Sequence, residues 1–311
     1  MSVKDGWGRN VATVRKIFRR NVSQGFLGSY SASQLGLPSE APNKSQCFQC
    51  FDAKFGRTLN FLSLGERFFY VALRYIPEVI DIRDQHMLFP FGGPHPLSYY
   101  PEMRGVSLPE IIGTRDLADR MHLRHPETID KNEAGLHEVF PLLGDLLAVA
   151  RTKERLRAVE VFVKNTVEEL ESPDRRSSEL MTLHHTYFHA AGIPVARVAY
   201  SCFPDRLVDN LIELRGYARL PVALSESPKL EDVIAFLGGS VYTRPACLAA
   251  AAAEGTFNLP KGTAIDILRH AIWHRYITCD LYARLDMSRP LRRETRNALS
   301  EIRAALLPEV A

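Results

Sequence analysis

Asp145, Glu160 and Lys164 are the side chains here whose types and spacing most readily suit chemistry, with Glu66 an outlying fourth. Asp145 follows Gly144 and opens the apolar run Leu146, Leu147, Ala148, Val149, Ala150. A charged turn over 151–157 leads to Ala158, Val159, Glu160, Val161, Phe162, Val163 and Lys164. Two apolar arms around a charged turn predict an antiparallel hairpin. Side chains alternate along a strand, so Glu160, Phe162 and Lys164 share one face. Antiparallel pairing brings Asp145 beside Lys164. Such an acid and ammonium can hold a divalent cation and steer a water molecule. The plainer alternative is a turn aspartate and a solvated lysine.

Ser63, Leu64, Gly65 and Glu66 open a predicted helix. Phe68, Phe69, Ala72, Leu73 and Ile76 recur at helical spacing, and Pro77 stops it. Ser63 and Glu66 have capping-box spacing, and a first-turn carboxylate can also project toward a neighbouring sheet. A short hairpin is expected over 51–61 and a strand over 78–85, with Asp81 and Asp84 facing solvent. The Pro- and Gly-rich stretch 89–105 reads as loop. Helices are expected over 114–121, 177–191 and 207–217, with a strand over 195–200 and a charged loop over 167–176. Gly192 and Pro194 end the second of these helices. Beyond residue 218 the pattern is helical, over 229–237, 245–253, 261–276, 279–285 and 295–307.

The 311 residues allow about two domains. No apolar run reaches the roughly 18 residues that span a bilayer, and the first ten residues lack a signal-peptide core. A cytosolic protein with five reduced cysteines is expected. Net charge is only +3, but Lys4, Arg9, Arg15, Lys16, Arg19 and Arg20 crowd the first 20 residues against Asp5 alone. Arg284, Arg289, Arg292, Arg293, Arg296 and Arg303 form a second basic group. Such clusters neutralise phosphates, or simply make a solvated face. Cys47 and Cys50 form a lone C-x-x-C without the second pair structural zinc needs. His185 and His189 have helical i, i+4 spacing without the intervening glutamate of a zinc protease. No Gly-rich phosphate loop is present. Ser201 and Cys202 lack the glycine frame of a nucleophile elbow.

The acid-then-lysine hairpin resembles the PD-(D/E)xK nucleases. Four stretches in order resemble the TnsA-type endonuclease subunit of heteromeric transposases. They are FDAKFGRTLNFLSLGERFFYVALRYIPEVIDIRDQHML, LADRMHLRHP, GDLLAVA with AVEVFVKN, and ELMTLHHTYFHAAGIPVARVAYSCFPDRLVDNLIEL. The resemblance covers residues 20–215, with a looser likeness in KGTAIDILRHAIWHRYITCDLYARL. It implies an α/β restriction-endonuclease-like core, a central mixed sheet flanked by helices, and a mainly helical, winged-helix-like C-terminal domain. The expected division is a basic arm over 1–46, an endonuclease-like domain over 47–217 and a helical domain over 218–311.

The implied activity is Mg²⁺- or Mn²⁺-dependent hydrolysis of the 5′ strand at transposon ends, with two ions. The implied partners are transposon-end DNA, a TnsB-like DDE transposase and a TnsC-like AAA+ ATPase. The implied setting is the bacterial cytoplasm, at the nucleoid. Carried over position by position, the helix glutamate falls on Glu66, the metal-binding aspartate on Asp145 and the lysine on Lys164. One position departs: Phe162 stands where the family has Gln or Glu. Glu160, about 7 Å away along the same strand face, is the expected substitute ligand beside Glu66 and Asp145. Otherwise a backbone carbonyl near Phe162 serves, or the nuclease is impaired and the chain is a non-catalytic assembly subunit. His125 belongs to the resembling pattern without an assigned role.

Overall fold

The computed structural model describes residues 11–21, 25–41, 45–129 and 137–308. Lys4, Asp5 and Arg9 of the basic arm lie outside the described residues. The chain divides into two compact units, one of Met1–Tyr70, Glu78–Tyr200 and Ala305–Ala311, the other of Val71–Pro77 and Ser201–Ala304.

The first unit is α/β. Its elements are α1 (Val11–Arg20), β1 (Phe48–Asp52), β2 (Arg57–Phe61), the start of α2 (Leu64–Tyr75), β3 (Val79–Leu88), α3 (Thr114–Arg120), β4 (Glu127–Ile129) and β5 (His137–Val139). They continue with β6 (Leu142–Arg151), β7 (Leu156–Lys164), α4 (Val167–Glu171), α5 (Arg175–Ala190) and β8 (Val195–Ala199). The mixed sheet runs β3-β6-β7-β8. β6 pairs antiparallel with both β3 and β7, whereas β7 and β8 are parallel. The hairpin read from the sequence is therefore the middle of the sheet, which explains its near-continuous apolar runs. Leu147, Val149 and Ala158 pack with Leu183, Tyr187 and Phe188 of α5 in one core.

Asp81 and Asp84 do not face solvent as their charge suggested. Both are fully buried. Asp84 accepts from Arg57 Nη1 at 2.5 Å and from the Asn60 main-chain N–H at 2.6 Å. Asp81 accepts from Tyr100 Oη at 2.7 Å and from Leu27 N–H at 2.8 Å. Buried carboxylates persist only when paired and hydrogen-bonded. These two fasten β2 and the neighbouring loops to β3. The β1–β2 hairpin in turn leads into α2.

The second unit contains α6 (Asp205–Arg215), α7 (Val222–Ser225), α8 (Leu230–Ser240), α9 (Ala246–Phe257), α10 (Thr263–Trp273) and most of α11 (Ala298–Leu306). Among its described residues there is no strand, so it is helical without the hairpin of a winged helix. The division falls after Tyr200 rather than near residue 218. Asn210 of α6 accounts for part of this, because its Nδ2 donates to the Leu281 and Ala283 carbonyls, both at 2.8 Å. The expected helix over 279–285 is absent; that stretch is irregular and tied by Asp280 N–H to Arg292 O at 3.0 Å. No helix among the described residues is long and apolar enough to cross a membrane.

Candidate active site

Glu66 sits in the first turn of α2, where a carboxylate meets unpaired N–H groups and the positive end of the helix. Its own N–H donates to Ser63 Oγ at 3.1 Å, the helix cap expected from the sequence. Its carboxylate does more than cap. Oε2 accepts from Leu62 N–H and from Gln85 Nε2, both at 2.8 Å. Gly65 lets this turn approach the end of β7: a Cβ there would lie 3.1 Å from Val163 Cγ1. Glu66 is thus carried to the sheet by a helix that packs closely where β7 ends.

Gln85 is held at φ +46°, a left-handed conformation that costs a side-chain-bearing residue of order 1 kcal/mol. Its carbonyl accepts from Ser33 N–H at 2.9 Å while its side chain reaches Glu66. The β3–β6 register places Asp84 opposite Leu146 and His86 opposite Gly144, so Gln85 lies across from Asp145. Asp145 is half-buried, and its Oδ2 accepts from the Val163 main-chain N–H at 2.8 Å.

The electrostatics bind these groups together. Burial pushes the Glu66 carboxyl up to about 8, and the charge of Asp145 adds to the rise. Burial also raises the Asp145 carboxyl, opposed by the Val163 N–H, by Lys164 and by His86. Two carboxyl groups from different elements therefore repel each other in a partly desolvated corner beside a lysine. The sequence expectation placed Asp145 beside Lys164; the β6–β7 register sets Asp145 across from Phe162, two residues before the lysine, whose charge opposes the rise at Asp145. Lys164 Nζ also stands 5.1 Å from the centroid of the Phe162 ring.

Glu160 occupies different surroundings. It is fully buried, with Oε1 accepting from His184 Nε2 at 3.1 Å and Oε2 lying 3.1 Å from His86 Nε2. The latter contact lacks hydrogen-bond alignment. The Asp145 main-chain N–H also donates to Glu160. Burial drives its carboxyl to about 8, and burial with nearby Arg83 drives His86 down to about 3. Gly144 is what admits this group beneath β6. A Cβ there would collide with the His86 ring and lie 2.7 Å from Glu160 Oε1. The Phe162 ring packs on His184 at 4.9 Å between centroids, toward α5.

Neither a protein-family model nor a curated protein matches the sequence.

Gln85, His86 and His184 went unnoticed in the sequence. An uncharged amide mid-strand carries no catalytic signature, and a lone histidine on an apolar helix face reads as core. Only the register of β3 and the α5 packing bring them to the hairpin. Other flagged residues stay apart from the site. His185 and His189 are exposed on α5 with rings stacked 6.1 Å apart. His125 is buried, 2.9 Å from Thr114 Oγ1. Cys47 and Cys50 form no disulfide. Of the basic residues on α1, Arg20 is engaged by Glu40 through two hydrogen bonds of 2.6 and 2.7 Å.

Among the described residues, no three His, Cys, Asp or Glu side chains converge as a ready metal cluster. The Glu66–Asp145 pair still suits a hard cation. Mg²⁺ is commonly held by one or two carboxylates and keeps several of its waters. A divalent charge between these two carboxyls would offset the repulsion and desolvation that raise their pKa values.

Proposed function

We propose that this chain is a divalent-metal-dependent DNA endonuclease subunit of a cut-and-paste transposase, hydrolysing the 5′ strand at transposon ends. The observation that carries the reading is the placement of helix-borne Glu66 on Gln85, which lies across from strand-borne Asp145 at the end of the hairpin that bears Lys164. The segment-by-segment resemblance to TnsA-type subunits supplies the DNA substrate and the partners, a TnsB-like transposase and a TnsC-like ATPase.

In this reading Glu66 and Asp145 hold Mg²⁺ or Mn²⁺. Such an ion, if bound there, would supply an acidified water and offset negative charge on the phosphate. Gln85 fixes the orientation of Glu66, and the Val163 N–H fixes that of Asp145. Lys164 orients the attacking water or meets negative charge on the phosphate. Glu160, held by His184 beneath Gly144, supports the site from within the core, while Phe162 fills the position where the resembling family has Gln or Glu.

A second reading, a non-catalytic assembly subunit of the same fold, draws support from the Phe162 ring packed on His184 in place of a ligand. Nicking of transposon-end DNA reconstituted with the partner transposase and ATPase in Mg²⁺ separates the two. Wild type should nick the 5′ strand, and Asp145→Ala should abolish nicking while sparing DNA binding. Nicking retained in Asp145→Ala removes the site assignment. An intact assembly in which wild type never nicks establishes the second reading.

A further inference from the structure

α1 borders a cleft that the catalytic residues do not use. Its buried stripe, Val14 and Ile17, clusters with Met87 and Phe140, and Phe18, Phe89 and Leu143 pack against them. Leu143 precedes Asp145 by two residues and Met87 follows Gln85 by two, about 7 Å along each strand. The cleft measures about 810 Å³ and is lined chiefly by Arg15, Phe18, Arg19, Phe91, Arg115 and Glu138. Among the described residues, Glu138 is the one acid in this lining, and it is tied to Arg15 at 2.8 Å. Arg19 and Arg115 are exposed, with no acidic partner among the described residues. Among the described residues, the lining therefore carries two arginines that no acid pairs.

Phe91 is 64% exposed, an unusual position for a phenylalanine. Its loop is nevertheless fixed. Thr114 N–H donates to Phe89 O at 2.9 Å, and Arg115 N–H to Pro90 O at 3.0 Å. Gly92 takes φ +84° in the turn, and a Cβ on Gly113 would run into Pro90 O. The backbone therefore presents the ring to solvent in a cleft that Arg19 and Arg115 also line.

An aromatic face set in a cationic groove matches single-stranded nucleic acid, whose phosphates pair with the arginines and whose unstacked bases lie on the ring. A duplex keeps its base faces covered. We propose that this cleft binds the single strand that opens beside the cut, with one base stacked on Phe91 and its phosphates on Arg19 and Arg115. The proposal rests on the reading of this unit as a DNA-cutting domain and adds a preference for unpaired DNA.

The test is fluorescence anisotropy of the full chain with labelled oligothymidylate and, separately, a duplex of equal length, both without divalent metal. Phe91→Ala should weaken oligothymidylate binding by about 5- to 150-fold, the range of one lost base stack, and leave duplex binding within about twofold. Phe91→Trp should restore it. Arg19→Ala with Arg115→Ala should flatten its salt dependence. Unchanged oligothymidylate binding in Phe91→Ala overturns the proposal, as does polyglutamate binding lost in parallel, which would mark a general anion surface. Nicking of transposon-end duplex in Mg²⁺ is measured with the same proteins, each reconstituted with the partner transposase and ATPase. Nicking without a Phe91 effect sinks the cleft alone, whereas a Phe91 effect without nicking sinks the endonuclease reading alone.

Discussion

Glu66 and Glu160 are both buried carboxyl groups raised to about 8, yet their settings assign them different work. Burial and the like charge of Asp145 raise both, so their partners are what differ: Glu66 is held by Leu62 N–H and Gln85 at the start of α2. Glu160 is engaged by His184 and by the Asp145 N–H, and beside it His86 is neutral. A glutamate with a pKa near 8 is mostly protonated at neutral pH, so glutamine mimics its working form. Glu160→Gln should therefore fold and nick within a few-fold of wild type. Glu160→Ala should destabilise by about 1–3 kcal/mol, because it strands the Asp145 N–H and the His184 ring. Denaturant unfolding and nicking rates measured together check this. A Glu160→Gln protein that folds normally but cannot nick would make Glu160 a metal ligand instead. The sequence showed the residue but not this choice, since His86 and His184 come from elements remote in the chain.

At the scale of elements, α2 has two duties in one turn. Ser63 caps the helix, and Glu66 reaches past the cap to Leu62 N–H and Gln85. Ser63→Ala should cost about 1 kcal/mol through the lost cap. Nicking should fall further than stability alone explains, because Ser63 Oγ also lies 3.3 Å from Glu66 Oε1 and helps orient it. Thermal melting beside nicking assays at a temperature well below the melt would separate the two effects. Equal nicking by folded Ser63→Ala would confine the serine to capping. The elements themselves were legible where periodicity was strong: the β6–β7 hairpin, α5, β8 and the α2 start all lie close to their expected bounds. The stretch over 279–285 misled because its apolar residues recur at helical spacing, whereas tertiary contacts to Arg292 hold it irregular. Asp81 and Asp84 misled because charge predicts exposure unless a partner is known, and Arg57 and Tyr100 lie more than 15 residues away in the chain.

Across the molecule, the buried carboxyls couple folding to pH and to metal. Glu66 and Glu160 carry folded-state pKa values of about 8, above the ordinary 4.5, and Asp145 is also raised. A group raised on folding binds its proton more tightly in the folded state. Its stabilisation is complete below the unfolded value and is lost as pH rises through the folded one. Metal-free protein should therefore lose stability between about pH 6.5 and pH 9, above the range in which His86, buried and neutral, makes stability rise with pH. Metal inverts part of this. A cation held by Glu66 and Asp145 favours their ionised forms, so saturating Mg²⁺ should stabilise the fold more at pH 8.5 than at pH 5.5. The contribution of Glu160, which lies outside that pair, should remain. Thermal melts across this range with Mg²⁺ or with chelator measure both slopes. A Mg²⁺ stabilisation that stays flat with pH, or that survives in Asp145→Asn, would show that the ion binds elsewhere and that the two raised carboxyls are not its seat.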